Sequence, residues 1–190
     1  MRIISGSLKG RNIDTYNIEG TRPTMDRVKE SVFATISSKI PDSVSLDLFC
    51  GSGSLGIEAI SNGSKYCYFN DSNKIVISKL KENINKFKIE DKCYLTTMDY
   101  NQALKYYRDR NIKFDLVFLD PPYKDLVIGS ILNTLDEYQL LNKNSLVICE
   151  YSTNINNENN NYELIKNKRY GDKYINIYEY QEEELWIKEK

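Results

Sequence analysis

Asp120-Pro121-Pro122-Tyr123 closes the apolar run Phe114–Leu119, and no other segment of the chain is better equipped for chemistry. Two consecutive prolines fix the backbone and remove N–H donors, so the local carbonyls face outward as acceptors. A carboxylate beside such a carbonyl can accept both hydrogens of an –NH₂ group, and Tyr123 can stack on a planar ring. Together these residues make a seat for the exocyclic amine of a nucleobase. The lone pair of that amine is conjugated and nearly non-nucleophilic. Holding both N–H groups turns the lone pair toward a methyl donor and stabilises the positive charge that grows on nitrogen. Asp120 can take the proton once the methylated nitrogen has become acidic. The same four residues also read as a rigid turn in which proline ends a strand.

A second motif supplies a place for a cofactor. Gly51-x-Gly53-x-x-Gly56 follows the apolar segment Leu46-Asp47-Leu48-Phe49 and opens a helical pattern. Such a turn lets the backbone approach a ligand and aims helix N–H groups at it. Asp71 stands twenty residues after Gly51, at the end of the next strand, where an acid accepts hydrogen bonds from ribose hydroxyls. Dinucleotides and S-adenosylmethionine both suit this turn. Asp47 favours the second, because a carboxylate there can hold the turn's N–H groups or a cationic amine, whereas it gains nothing beside a pyrophosphate. Asp99, in Met98-Asp99-Tyr100, is placed to hydrogen-bond an adenine amino group. The residues expected around the cofactor are therefore Asp47, Phe49, Gly51, Gly53, Asp71, Ser72, Met98 and Asp99.

Composition narrows the chemistry further. The 190 residues contain no histidine, which excludes Ser-His-Asp and Cys-His catalysis, histidine bases and histidine metal ligands. Cys50, Cys67, Cys93 and Cys149 form no C-x-x-C pair, so no metal site is expected. The charge of −1 gives no global basic signature. With no signal-peptide pattern and no apolar run long enough to span a bilayer, the expectation is a cytoplasmic protein without a membrane partner.

These motifs need a frame. Strand and helix patterns alternate: a helix over Met25–Lys39 capped by Thr24, strands at Val44–Phe49 and Tyr66–Asn70, and a helix over Asn73–Lys88 with Val76, Leu80, Ile84 and Phe87 on one face. They continue with a strand at Cys93–Met98, a helix at Asn101–Arg110, the strand Phe114–Leu119, a helix at Leu126–Tyr138 and a strand at Leu146–Cys149. Tyr162–Arg169 and Tyr174–Tyr180 alternate in period two around Gly171-Asp172, as an antiparallel edge pair does. The expected fold is α/β, a doubly wound, seven-stranded, mainly parallel Rossmann-like sheet with an N-terminal arm or hairpin and an antiparallel C-terminal hairpin. One domain over 1–190 is expected, with the arm at 1–24 and the core at 25–190.

With these residues in place, the chain resembles the class I S-adenosylmethionine-dependent methyltransferases, and most of all the RsmD-type 16S rRNA guanine-N2 methyltransferases of bacteria. The resemblance is carried by Met1–Arg11, Thr21–Glu30, Leu46–Gly56, Phe114–Tyr123 and Arg169–Asp172. It implies S-adenosyl-L-methionine as cofactor, and as substrate one guanine of 16S rRNA in the assembled or assembling small subunit. It also implies a monomer in which Asp120, Pro121, Pro122 and Tyr123 form the catalytic segment. Glu is usual in the family at the position of Asp71. Within 1–30 stand six basic and four acidic residues. Arg2, Lys9, Arg11, Arg22 and Arg27 can form a local phosphate-binding face, with Thr24 near it, although an ordinary solvated arm explains each one equally well. A DNA adenine-N6 or cytosine-N4 methyltransferase uses a similar Asp-Pro-Pro-Tyr seat, and a non-catalytic nucleotide-binding assembly factor shares the cofactor features.

Overall fold

The structure is a computed structural model that describes residues 1–15, 23–122, 124–153 and 159–182, with backbone only at 23–25 and 124–126. Its seven strands are β1 (Val44–Asp47), β2 (Tyr66–Asn70), β3 (Cys93–Thr96), β4 (Phe114–Leu119), β5 (Leu141–Tyr151), β6 (Tyr162–Tyr170) and β7 (Lys173–Tyr180). They lie in one sheet in the order β3-β2-β1-β4-β5-β7-β6. The first five run parallel, and β7 pairs antiparallel with both β5 and β6. The chain winds outward in one direction through β1, β2 and β3, then returns to begin again at β4. A crevice opens at that reversal, outside the carboxyl ends of β1 and β4.

Five helices cover the sheet: α1 (Pro23–Ile36), α2 (Ser54–Ser61), α3 (Lys74–Phe87), α4 (Tyr100–Arg108) and α5 (Lys124–Glu137). Strand period two sends Leu46, Leu48, Val117, Leu119, Val147 and Cys149 to one face, against Leu104 and Tyr107 of α4 and Ile128 and Leu132 of α5. The residues between them meet Val32, Phe33 and Ile36 of α1. Cys67 and Phe69 pack on α2, α3 and the N-terminal arm through Ile57, Leu80, Ile84, Ile3 and Ile13. Burial of both faces explains why β4 reads as an unbroken apolar run.

Three local expectations need correction. The α1 helix begins at Pro23, so Thr24 lies inside it rather than capping it; a proline at the first helical position loses no bond, because that N–H has no partner in a helix. The inward stripe of α3 starts at Ile77 instead of Val76, which is half-buried. Strand β5 is much longer than Leu146–Cys149: Leu141 already pairs with Phe114, the register to β4 then shifts before Leu146, and Asn142 Nδ2 donates to Asp115 Oδ1 at 2.7 Å beside that irregularity, while Glu150 and Tyr151 extend the pairing with β7. The N-terminal arm forms one antiparallel bridge, Arg2 with Asn12.

Candidate active site

The loop after β1 is held by carboxylates. Asp71 Oδ2 accepts from Gly51 N at 3.1 Å, and its Oδ1 accepts from Asn73 N at 2.9 Å. Asn73 in turn caps α3, its Oδ1 accepting from Ile75 N. Asp47 Oδ2 accepts from Gly56 N at 3.0 Å. Two glycines of the motif are required by space. A Cβ at Gly53, whose φ is +76°, would stand 2.3 Å from a Leu80 methyl, and one at Gly56 would stand 2.2 Å from the Phe69 ring. Gly53 lines neither cavity described below, so its need here is steric.

Asp47 is almost completely buried, at 3% exposure. Burial raises its pKa to about 7; the Gly56 N–H opposes that shift, while the charges of Asp120 and Asp71 add to it. No described cation forms an ion pair with it. A buried carboxylate facing two others lacks a counter-charge, and a cationic ligand would supply one. Burial also pushes the Cys50 and Cys149 thiols well up, so neither is a thiolate nucleophile at neutral pH.

Two cavities meet at this point. The first, of about 440 Å³, runs past Asp47, Gly51 and Ser52 to Asp120, Glu150 and Lys173. The second, of about 480 Å³, is lined by Asp71, Ser72, Met98, Asp99, Asp120 and Pro121, among others. Phe49 and Asp120 belong to both. Pro121 is buried and Pro122 is exposed. Asp99 caps α4 with Oδ1, which accepts from Asn101 N at 2.9 Å, and lies exposed at the mouth of the second cavity. Tyr123 lies outside the described residues.

The basic residues of the arm do not share one surface. Arg2, Lys9 and Arg27 line a separate cleft of about 310 Å³, together with Asp26 and Glu30. Arg11 is turned away from it. Its guanidinium donates to Lys86 O at 2.8 Å and stacks on the Phe87 ring 4.6 Å from the centroid, so it serves the C-terminus of α3. Arg22 lies outside the described residues, and of Thr24 only the backbone is described.

Sequence reasoning missed two ion pairs. Lys29 Nζ lies 2.9 Å from Glu58 Oε2, both side chains being at least nine-tenths buried. Glu58 also accepts from Ile4 N and Ser5 N, and Lys29 donates to Arg2 O and Ser54 Oγ. This node clamps the arm onto α1 and α2 beside the first cavity. In the wall of the same cavity, Lys173 Nζ lies 2.5 Å from Glu150 Oε1. An acid inside the apolar stretch Ile57-Glu58-Ala59-Ile60 and another at the end of β5 were the available signals.

Known proteins resemble the chain in sequence and in fold. Residues 1–179 match the family described as Conserved hypothetical protein 95. The chain is 37% identical over 151 residues to Ribosomal RNA small subunit methyltransferase D of Haemophilus influenzae, covering 79% of this chain and 78% of that protein. It is 38% identical over 155 residues to a candidate rRNA methyltransferase of Bacillus subtilis, YlbH, covering 82% of this chain and 84% of that protein. A crystal structure of a candidate methylase from Haemophilus influenzae superimposes with a TM-score of 0.79 at 31% identity, covering 95% of this chain and 98% of the other.

Proposed function

The chain belongs to the family described as Conserved hypothetical protein 95, which it shares with the ribosomal RNA small subunit methyltransferase D proteins, and on that premise we propose that it transfers a methyl group from S-adenosylmethionine to the exocyclic N2 amine of a guanine in small-subunit rRNA. The observation that carries this reading is the meeting of two cavities at Asp120, one lined by Asp71 and Asp99, acids suited to a nucleoside, and the other by Asp47, Glu150 and Lys173. Their volumes fall in the range of small-molecule sites, about 300–1,000 Å³.

In this reading Asp71 and Asp99 hold the ribose and the adenine amine. Asp71 is already oriented by Gly51 and Asn73, so little ordering is left for binding. Asp47, with Gly51 and Ser52, faces the cationic end of the cofactor, whose charge makes the ionised carboxylate favourable. The bound cofactor supplies an electrophilic methyl group on a sulfonium. Asp120 and the carbonyls around Pro121 accept the two N2 hydrogens and aim the nitrogen lone pair at that methyl carbon. Once the N–C bond had formed, the cofactor would leave as a neutral thioether, keeping the electron pair of the broken carbon–sulfur bond. Asp120 stabilises the growing positive charge and takes the proton that the nitrogen then releases. Arg2, Lys9 and Arg27 hold RNA phosphates at the separate cleft.

Tritiated S-adenosylmethionine offered with naked 16S rRNA, small subunits and genomic DNA tests the reading. Label is expected in rRNA or the subunit, as N2-methylguanosine. Asp120→Ala is expected to abolish transfer while calorimetry still shows cofactor binding. Label in DNA alone, or full activity in Asp120→Ala, refutes it.

A further inference from the structure

The first cavity has a charged far wall that the proposed chemistry leaves unused. Phe118 of β4, Ile148 of β5 and Ile175 of β7 pack on the α1 face of the sheet. Two residues further toward the cavity on each strand stand Asp120, Glu150 and Lys173, and period two returns them to that same face. All three line the cavity. The ladder places them in that order, because Leu119 is in register with Cys149, and Tyr151 with Tyr174. Three neighbouring strands thus present acceptor, acceptor and donor in a row.

We infer that Glu150 and Lys173 read the Watson–Crick edge of the target base and select guanine. This rests on the proposed placement of the reacting amine at Asp120. From its exocyclic amine onward, guanine offers N2–H donors, then the N1–H donor, then the O6 acceptor. Adenine offers N6–H donors and then the N1 acceptor; cytosine offers N4–H donors and then the N3 acceptor. With the amine seated on Asp120, Glu150 accepts from guanine N1–H and Lys173 donates to O6. Adenine and cytosine would turn a ring-nitrogen lone pair toward the Glu150 carboxylate, a repulsive contact where guanine N1–H makes a hydrogen bond.

The wall is built before the base arrives. The 2.5 Å ion pair holds Glu150 and Lys173 side by side, their side chains 15% and 36% exposed. The turn carrying Lys173 is held on its β6 side. The Tyr170 hydroxyl donates to Ser31 Oγ of α1, and Arg169 Nε donates to Gly171 O at 2.8 Å. Neither group has to be ordered at binding, which is the condition for discrimination at low entropic cost.

The test uses the full chain, tritiated S-adenosylmethionine and small ribosomal subunits from cells lacking this gene, with the product nucleoside identified by mass spectrometry. Glu150→Met keeps the length and removes the acceptor. It is expected to lower kcat/KM for the subunit by at least about tenfold, while the Kd for S-adenosylmethionine is unchanged. Glu150→Gln keeps an amide oxygen for N1–H and is expected to retain most of the rate. A pair of purely structural importance would be rescued by removing both charges, so Glu150→Met with Lys173→Met separates the two roles. The double variant is expected to stay as slow as Glu150→Met. Wild-type rate in Glu150→Met, or recovery in the double variant, overturns the assignment of these two residues and leaves the guanine reaction standing. If Glu150→Met does not fold, Lys173→Met alone decides: a lowered kcat/KM supports the assignment and a wild-type value overturns it. N6-methyladenine or N4-methylcytosine as the wild-type product overturns the underlying reading, and this inference with it.

Discussion

Replacing Asp47 by Asn is expected to stabilise the protein without ligand while weakening its grip on the cofactor, and both effects have a defined dependence on pH. The Asp47 carboxyl titrates near 3.8 in an unfolded chain and at about 7 in the fold, because burial disfavours its charged form. Between those values the folded protein holds a proton that the unfolded chain has released. Stability therefore falls as pH rises through this window, by about 1.4 kcal/mol per pH unit, and levels off above about 7. Integrated over the window, the ionised carboxylate costs about 4 kcal/mol. Asn has no charge to desolvate and keeps an oxygen for the Gly56 N–H, 3.0 Å away. Its amide hydrogens need partners in the same space, which removes about 1–3 kcal/mol of the gain. The net expectation is stabilisation of about 1–3 kcal/mol at pH 8, vanishing or reversing near pH 4.5.

Urea denaturation of both proteins at half-unit steps from pH 4.5 to 8.5 measures the difference directly. Calorimetry over the same range measures the ligand side. S-adenosylmethionine is expected to bind the wild type more tightly as pH rises toward 7, by up to about tenfold per unit, releasing a proton where Asp47 is still protonated. Asp47→Asn should lose both the added affinity and its pH dependence. Parallel stability curves, with a difference that does not change between pH 4.5 and 8.5, would refute the claim that burial, with the charges of Asp120 and Asp71, raises the pKa of Asp47.

Glu58→Ala leaves the buried Lys29 ammonium without its partner and frees Ile4 N and Ser5 N, so a loss of about 3–5 kcal/mol is expected in urea denaturation. Arg27→Ala is expected to lower the slope of log affinity against log salt for rRNA by about 1 in filter binding, with the melting temperature unchanged. Arg11→Ala should do the reverse, costing about 1 kcal/mol through its lost carbonyl bonds and Phe87 stacking while leaving the salt slope alone. Gly56→Ala sets a methyl 2.2 Å from the Phe69 ring, and calorimetric melting is expected to show about 1–3 kcal/mol of destabilisation.

What could be read from sequence divides along physical lines. Phe114–Leu119 was legible to the residue, because a parallel strand buried on both faces is apolar throughout and its ends are marked by polar residues and proline. The glycine turn was legible for the same reason: only small residues survive beside Leu80 and Phe69. Where a residue's role is set by a distant partner, local pattern carries nothing. Arg11 and Arg27 look alike in a basic arm, yet one is spent on α3, seventy-odd positions away, and the other lines a cleft. Asn142–Asn144 carry no strand signal; they form an irregularity in β5, between Leu141 paired with Phe114 and Leu146 paired with Leu116, and Asn142 bonds Asp115 across it. Lys29 and Glu58 are separated by 29 positions, so only the fold shows that each answers the other's charge. Glu150 is the instructive omission. It stands next to last in β5, as Asp120 stands just past β4, but no prolines follow to mark it.

The distribution of charge explains how a chain with a net charge of −1 can act on RNA. Around the two cavities stand Asp47, Asp71, Asp99, Asp120, Glu150 and Asp172. Every one of these acids suits a cation, a hydroxyl or an N–H donor, and none suits a phosphate. Two lysines, Lys29 and Lys173, also line the first cavity, but each is paired with a glutamate, so the acids prevail where the reaction is proposed to occur and favour a base carrying donors on its edge over a phosphate backbone. In the proposed reading, binding the backbone falls to Arg2, Lys9 and Arg27, which line a separate cleft. On that reading the base leaves its stack to reach Asp120, at a cost of a few kcal/mol that is lowest for an unpaired nucleotide. Acid at the centre and a small basic surface apart from it thus select an extruded base, a requirement that a uniformly basic protein would not impose.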